Sequence, residues 1–164
     1  MPTVINVDGL EFEFPDGWSV SKYDEWVFYR KHFQSVSTGI KGVDLIAVSE
    51  GTAYLIEVKD YSRPGTTKPS QLPQSVATKV LHTLAAMLPA KLNANDRDEV
   101  ALASALLKAT SLKVILHLDN PKTKPHLVDP ADLKQKLKSL LKAVDPRVTV
   151  SSRQSQGHLP WSVS

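Results

Sequence analysis

The chain has 164 residues, 41% of them hydrophobic and 23% charged, which is typical of one soluble globular domain. It contains no cysteine, so disulfides, zinc–thiolate sites and thiol nucleophiles are excluded. Its formal net charge of +3 permits binding to a polyanion without requiring it. The first residues lack the features of a signal peptide, and no apolar run has the length of a membrane span. We therefore expect a cytoplasmic protein.

The first predicted element is an N-terminal β-hairpin. Residues 3–7 and 10–14 read as two strands around Asp8-Gly9, a dipeptide typical of tight hairpin turns. The next segment, residues 18–34, is rich in aromatic side chains and permits two interpretations. Four of its side chains have the spacing of one helical face: Trp26, Val27, Arg30 and Phe33. A strand that begins near the first of them also fits.

A second hairpin is the most informative part of the sequence. Residues 45–48 and 54–56 are nearly continuous apolar runs, as expected of strands that are covered on both faces. A short turn that contains a glycine joins them. Asp44 stands at the head of the first strand, and the second strand ends in Glu57-x-Lys59. Charged residues therefore meet the apolar strands at the edge of a buried sheet.

Antiparallel pairing is predicted to bring these charges together. Asp44 should lie near Glu57, Val58 and Lys59, and alternation places Glu57 and Lys59 on one side of the strand while Val58 points into the core. Buried charge is costly unless it is paired or holds a metal. Asp44 and Glu57 can hold Mg²⁺ or Mn²⁺ through oxygen ligands. Lys59 can then steer a nucleophilic water or stabilise charge on a phosphate.

Helices dominate the chain after this hairpin. The first helix begins near Pro73, and its apolar stripe is expected every four residues: Val76, Val80, Leu84 and Leu88. A second helix is predicted from residue 96 to about residue 109, and a buried strand over residues 112–118. A third helix follows Asp129-Pro130. Four of its leucines are expected to face the core: Leu133, Leu137, Leu140 and Leu141.

The last predicted strand covers residues 148–150. Residues 151–164 are polar and are expected to form a C-terminal tail, although residues 159–161 can fold back onto the body. The succession of elements predicts a single α/β domain over residues 1–164 with a mixed sheet, whose core lies at about residues 18–120.

The order Asp44, hairpin, Glu57-x-Lys59 resembles the motif of the PD-(D/E)XK nuclease superfamily. The proline that usually precedes the Asp is absent, and Val43 stands in its place. The layout is similar to that of small Holliday junction resolvases, and the resemblance covers roughly residues 20–120. It implies a restriction-endonuclease-like fold, in which a mixed central sheet is flanked by helices, here with an N-terminal β-hairpin.

The resemblance also implies supporting residues. A carboxylate before the motif, Glu25 or as second choice Asp24, would complete the metal shell, although both also suit a helix N-terminus. The backbone carbonyl of Val58 is a further candidate ligand. Gln74 and Lys79 are candidates on the following helix, but a position in solvent is favoured for both.

Basic residues follow the motif in a polar loop. Arg63 and Lys68 can grip a phosphate backbone, and Tyr61 can stack on a base or sugar. The alternative is that these charges only keep the loop soluble. The five histidines are scattered without the spacing of a helical zinc motif, and His117 is expected to be a core residue.

With the resemblance, these residues predict a Mg²⁺-dependent nuclease that hydrolyses phosphodiester bonds, with DNA as the expected substrate. Asp44 and Glu57 would hold Mg²⁺, or Mn²⁺ as a substitute, and Lys59 would activate water or stabilise the transition state. Two alternatives stay open: a catalytically inactive nucleic-acid-binding or scaffolding module of a larger complex, and an RNA-cleaving toxin or defence effector. A homodimer also stays open.

Overall fold

Two β-sheets and four α-helices form the part of the chain that a computed structural model describes, residues 1–67 and 70–164. The strands are β1 (Thr3–Val7), β2 (Leu10–Phe14), β3 (Ser19–Lys22), β4 (Leu45–Ser49), β5 (Thr52–Asp60), β6 (Ser111–Asp119), β7 (Thr149–Ser151) and β8 (Ser162–Val163). The helices are α1 (Val27–Lys31), α2 (Leu72–Asn93), α3 (Arg97–Lys108) and α4 (Pro130–Leu140). None of these helices is both long and apolar enough to cross a membrane. The predicted mixed α/β architecture is confirmed.

The large sheet has the strand order β3-β4-β5-β6-β7, and the small sheet has the order β1-β2-β8. In the large sheet β3, β4 and β5 pair antiparallel, whereas β5, β6 and β7 pair parallel. Successive residues of β5 enter different cores: Leu55 packs with the helices, and Ile56 packs with the small sheet. The large sheet is therefore buried on both faces, which explains its nearly continuous apolar strands.

Both predicted hairpins are present. β1 and β2 pair around Asp8-Gly9, and β4 and β5 pair around Glu50-Gly51. All four turn residues have positive φ angles, as a tight two-residue turn of this type requires. The register of β4 on β5 carries Asp44 to the end of β5 at which Glu57 lies.

The aromatic segment of residues 18–34 is broken into short pieces. β3 ends at Lys22, a 3-10 turn follows at Tyr23–Glu25, and α1 has only five residues. Glu99 of α3 starts α1, because its carboxylate accepts hydrogen bonds from the backbone N–H groups of Val27 and Phe28 (3.2 and 2.9 Å). This cap comes from a residue more than 70 positions away, so the local sequence gives no signal for it.

The apolar stripe predicted for α2 differs from the observed buried face towards the C-terminal end of the helix. Leu88 is 55% exposed and Leu84 is only half-buried. The buried side instead follows the helical period: Val76, Val80, Thr83, Met87 and Ala90. Four residues of an α-helix turn about 40° more than one full turn. Three such steps, from Val76 to Leu88, therefore rotate the side chain away from the core. Leu140 of α4, also expected inside, is 48% exposed.

The C-terminal segment folds back onto the body instead of forming a tail. Trp161 is buried, and its ring packs against those of Phe14, Trp18 and Tyr54 at centroid distances of 5.3, 6.0 and 5.1 Å. Directly after it, β8 pairs antiparallel with β2. This segment therefore completes both the small sheet and the core beneath it.

Candidate functional site

Glu57 is the centre of a charged cluster where β5 approaches its end. The side chain is 1% exposed, and its Oε1 atom lies 3.1 Å from the Lys59 ammonium and 2.5 Å from the Lys79 ammonium. Within the described ranges its Oε2 atom has no hydrogen-bond partner. Glu57 and Lys59 lie on the same side of β5, as the strand period predicts. One buried carboxylate is thus held by two lysines.

Asp44 lies beside this cluster at the head of β4. Its Oδ2 atom accepts a hydrogen bond of 2.7 Å from the backbone N–H of Val58, which confirms that the two strand ends meet. Burial and the neighbouring charge of Glu57 raise the pKa of Asp44 to about 7, despite this hydrogen bond and the attraction of Lys79. Asp44 is therefore protonated in a large fraction of molecules near neutral pH.

The two candidates for a third carboxylate take different positions. The Glu25 side chain is half exposed and pairs with Lys22 at 2.9 Å. The charge of Asp24 interacts with the cluster instead: burial raises its pKa, and the charges of Glu25 and, to a smaller extent, Glu57 add to the rise. One carboxylate oxygen of Asp24 is buried without a partner among the described residues. Asp24, the second choice from the sequence, is thus the carboxylate nearer to the site.

A cleft of about 360 Å³ opens next to Lys59 and holds part of the predicted binding loop. Arg63 lines it with an exposed guanidinium, 3.9 Å from the carboxylate of Asp8. Tyr61 is only 5% exposed and packs in the core on the helix side, so its ring is not available to stack on a base. Lys68, the other predicted contact of this loop, lies outside the described residues.

The prediction that Lys79 lies in solvent is wrong. Lys79 lies on α2 between the buried positions Val76 and Val80, and its side chain is 19% exposed. Attraction to Glu57 raises its pKa although burial alone would lower it, so Lys79 stays charged. Gln74, the other candidate on this helix, is exposed as expected. A helical wheel with a period of 3.6 residues, rather than a spacing of four, places Lys79 on the side facing the sheet.

A second polar cluster at the same end of the sheet was also missed. His117 is 1% exposed, and its Nε2 atom lies 2.7 Å from Oδ2 of Asp119. Asp119 also accepts hydrogen bonds from the backbone N–H and Nε of Arg153. Burial would raise the pKa of Asp119, but the bonds to His117 and Arg153 lower it overall. The expectation that His117 is a core residue is confirmed, and the cluster attaches the segment after β7 to β6.

The charged cluster does not fit a metal as its side chains are arranged. In residues 1–67 and 70–164, no group of three or more His, Asp or Glu side chains is placed to hold a metal ion. The Lys79 ammonium already lies against Glu57, where it supplies the positive charge that a cation would bring. The structure therefore gives no support to the predicted metal-binding character. Mg²⁺ or Mn²⁺ at Asp44, Glu57 and the Val58 carbonyl stays a prediction that rests on the resemblance alone.

Comparisons with known proteins point away from a nuclease. No family model matches the chain, and no solved structure matches it. The chain is similar to part of a cysteine–tRNA ligase. This protein, from Neisseria meningitidis serogroup A, is 30% identical over 207 aligned positions, which cover 99% of the chain and 30% of the ligase. The chain thus spans about three tenths of the length of the curated relative it matches.

This match overturns the predicted nuclease and hydrolase function. The three motif residues occupy the predicted positions, but the relative that covers nearly the whole chain is described as a ligase. The structure supplies a physical reason why position alone misled the prediction. Asp44 accepts a hydrogen bond and one oxygen of Glu57 pairs with two lysines within the protein, so the proximity of these residues does not require a phosphodiesterase.

Replacing Asp44 by asparagine is expected to stabilise the protein at high pH. The folded pKa of about 7 exceeds the ordinary aspartate pKa of 3.8, so the native state binds the extra proton and its stability falls as pH rises from about 4 to about 7. Asparagine keeps an acceptor for Val58 without the charge. Urea unfolding at pH 8 should show a gain on the order of a few kcal/mol, which vanishes at pH 4. The exposed Asp132→Asn variant serves as the control. Equal effects of Asp44→Asn at both pH values would contradict the prediction.

Proposed function

We propose that this chain is a tRNA-binding part of a cysteine–tRNA ligase assembly. The observation that carries the proposal is the relationship to a cysteine–tRNA ligase over nearly the whole chain but only 30% of that ligase. Ligase activity then belongs to the whole assembly, and this part contributes to holding the nucleic acid. In this proposal the fold is a restriction-endonuclease-like core that binds a polynucleotide without cutting it.

The charges at one end of the large sheet support this role. Lys59, Lys79 and Arg63 lie at or beside the end of β5, and Lys59 and Arg63 line the same cleft together with Asp8 and Asp60. In the contact between Glu57, Lys59 and Lys79 two ammonium groups face one carboxylate, and the raised pKa of Asp44 removes part of a further negative charge near neutral pH. Basic side chains around a cleft attract the phosphate backbone of any polynucleotide. Lys59 and Arg63 are therefore the side chains of this cleft that would contact a phosphate of tRNA.

Binding of a cysteine-specific tRNA transcript, followed by fluorescence anisotropy at several salt concentrations, tests the proposal. We expect tighter binding of the tRNA than of duplex DNA of similar length. The Arg63→Ala variant should weaken tRNA binding several-fold and reduce the slope of log affinity against log salt by about 1, because one phosphate contact is lost.

Arg147→Ala is the matched control for this experiment. Arg147 is also exposed, but it precedes β7 at the opposite end of the large sheet from Lys59. Its removal changes the net charge equally and should leave tRNA affinity nearly unchanged. Equal losses in the two variants would mean that only the net charge matters. Absence of tRNA binding by the unmodified chain would refute the proposed function.

A further inference from the structure

One edge strand from each of the two sheets lines a common groove. β1 is an edge strand of the small sheet, and β3 is an edge strand of the large sheet. Residues 4–6 of β1 and residues 20–22 of β3 border a common groove of about 580 Å³. Edge strands present main-chain groups that can pair with another chain. The groove thus offers two such edges side by side.

The hydrogen-bond pattern shows which groups face the groove. In the β1–β2 hairpin the two-residue turn makes Val7 and Leu10 a hydrogen-bonded pair, so alternation turns the N–H and C=O of Val4 and Asn6 away from β2. In β3 the bond from Tyr23 N–H to the Asp44 carbonyl fixes the alternation, and Val20 turns its main-chain groups away from β4. Among the described residues, no main-chain partner satisfies Val4 or Asn6 on this side.

The side chains around the groove define the partner it fits. Val4 is 55% exposed and Val27 is 48% exposed, so apolar side chains of a partner can bury them. The charged rim is acidic: Glu25, Asp96 and Asp98 stand against one lysine, Lys22, which already pairs with Glu25. This charge disfavours nucleic acid and favours a basic partner.

We propose that the groove binds an extended segment of a partner protein in which apolar and basic residues alternate. The segment adds to the free edge of β1 as a further strand, with its main chain bonded to Val4 and Asn6. Its apolar side chains pack on Val4 and Val27, and its basic side chains face Asp98 and the neighbouring acids. This site is separate from the proposed tRNA site, and its lining is more acidic.

Binding of a labelled octapeptide of alternating lysine and valine, measured by fluorescence anisotropy, tests the proposal. The octapeptide of alternating glutamate and valine is the matched probe with reversed charge. We expect the basic peptide to bind and the acidic peptide not to bind. Asp98→Asn should weaken binding of the basic peptide and reduce the dependence of its affinity on salt concentration. Equal binding of both peptides, or of neither, would overturn the proposal.

Two variants at Val4 test the main-chain contact. Val4→Pro removes an N–H that the β1–β2 pairing does not use, so the hairpin tolerates it, while peptide affinity should fall roughly fivefold. Val4→Thr keeps the N–H and loses only part of the apolar contact, so it should weaken peptide binding less than Val4→Pro does. Hydrogen exchange gives a readout without mutation: the basic peptide should slow exchange of the Val4 and Asn6 amides. Unchanged exchange at saturating peptide would refute strand addition at β1.

Discussion

The Glu57→Gln variant is expected to lose on the order of 3 kcal/mol of unfolding free energy. Glu57 is buried, and it balances two ammonium groups that are themselves mostly covered, Lys59 and Lys79. Breaking a buried ion pair on one side leaves the other charge without compensation, which costs more than the pair itself contributes. Urea unfolding at pH 7 measures the loss, with the slope of the transition expected to stay constant.

A second substitution shows whether the lost stability comes from an uncompensated lysine charge or from changed packing at Glu57. Adding Lys79→Met to Glu57→Gln removes the more buried of the two lysine charges and replaces it by a side chain of similar length. The double variant should regain a large part of the lost stability, and the coupling between the two sites should exceed about 1 kcal/mol. Simple additivity of the two single losses would show that Lys79 and Glu57 do not act as a pair.

The Trp161→Ala variant is expected to lose about 3–5 kcal/mol, as is usual when a buried tryptophan is truncated. Its ring contacts three other aromatic rings beneath the small sheet, and the strand that follows it has only two residues. Loss of the ring should therefore release β8 from β2 as well. Denaturant unfolding measures the cost, and hydrogen exchange at the Glu11 amide, which donates to the Ser164 carbonyl, reports on β8.

Trp161→Phe is the control for this prediction. Phenylalanine keeps an aromatic ring in the cluster, so the loss should be clearly smaller and protection at Glu11 should persist. A cost below about 1 kcal/mol for Trp161→Ala would mean that the C-terminal segment contributes little to the core.

The sequence predicts best those features that neighbouring residues determine. The two hairpins follow from Asp8-Gly9 and from the apolar strands around Gly51, and α3 follows from its N-cap Asp96. Each of these depends on residues a few positions apart. The pairing of Asp44 with the end of β5 is predictable for the same reason, because a hairpin fixes which residues lie opposite each other.

Features that depend on contacts between residues far apart in the sequence are not predictable from local patterns. α1 begins where Glu99 caps it, and Lys79 points inward because α2 packs on β5 with a particular rotation. That rotation also places Leu88 in solvent. The function is hard to predict for a related reason: an Asp, a Glu and a Lys at the same three positions can serve a hydrolytic site or an ion cluster that is paired within the protein. Their neighbours decide between the two, and here the decisive neighbour is Lys79.

The pairing of β2 with β8 affects how the protein folds during synthesis. About 150 residues separate these two strands, so the small sheet closes one of the longest loops that the chain allows. Until residue 163 leaves the ribosome, the face of β5 that carries Ile56 lacks part of its cover. We expect the helix-covered half to form first and the nascent chain to expose an apolar surface until residues 161–163 have been synthesised. Chaperones that bind apolar surfaces should recognise this intermediate and release it once Trp161 docks.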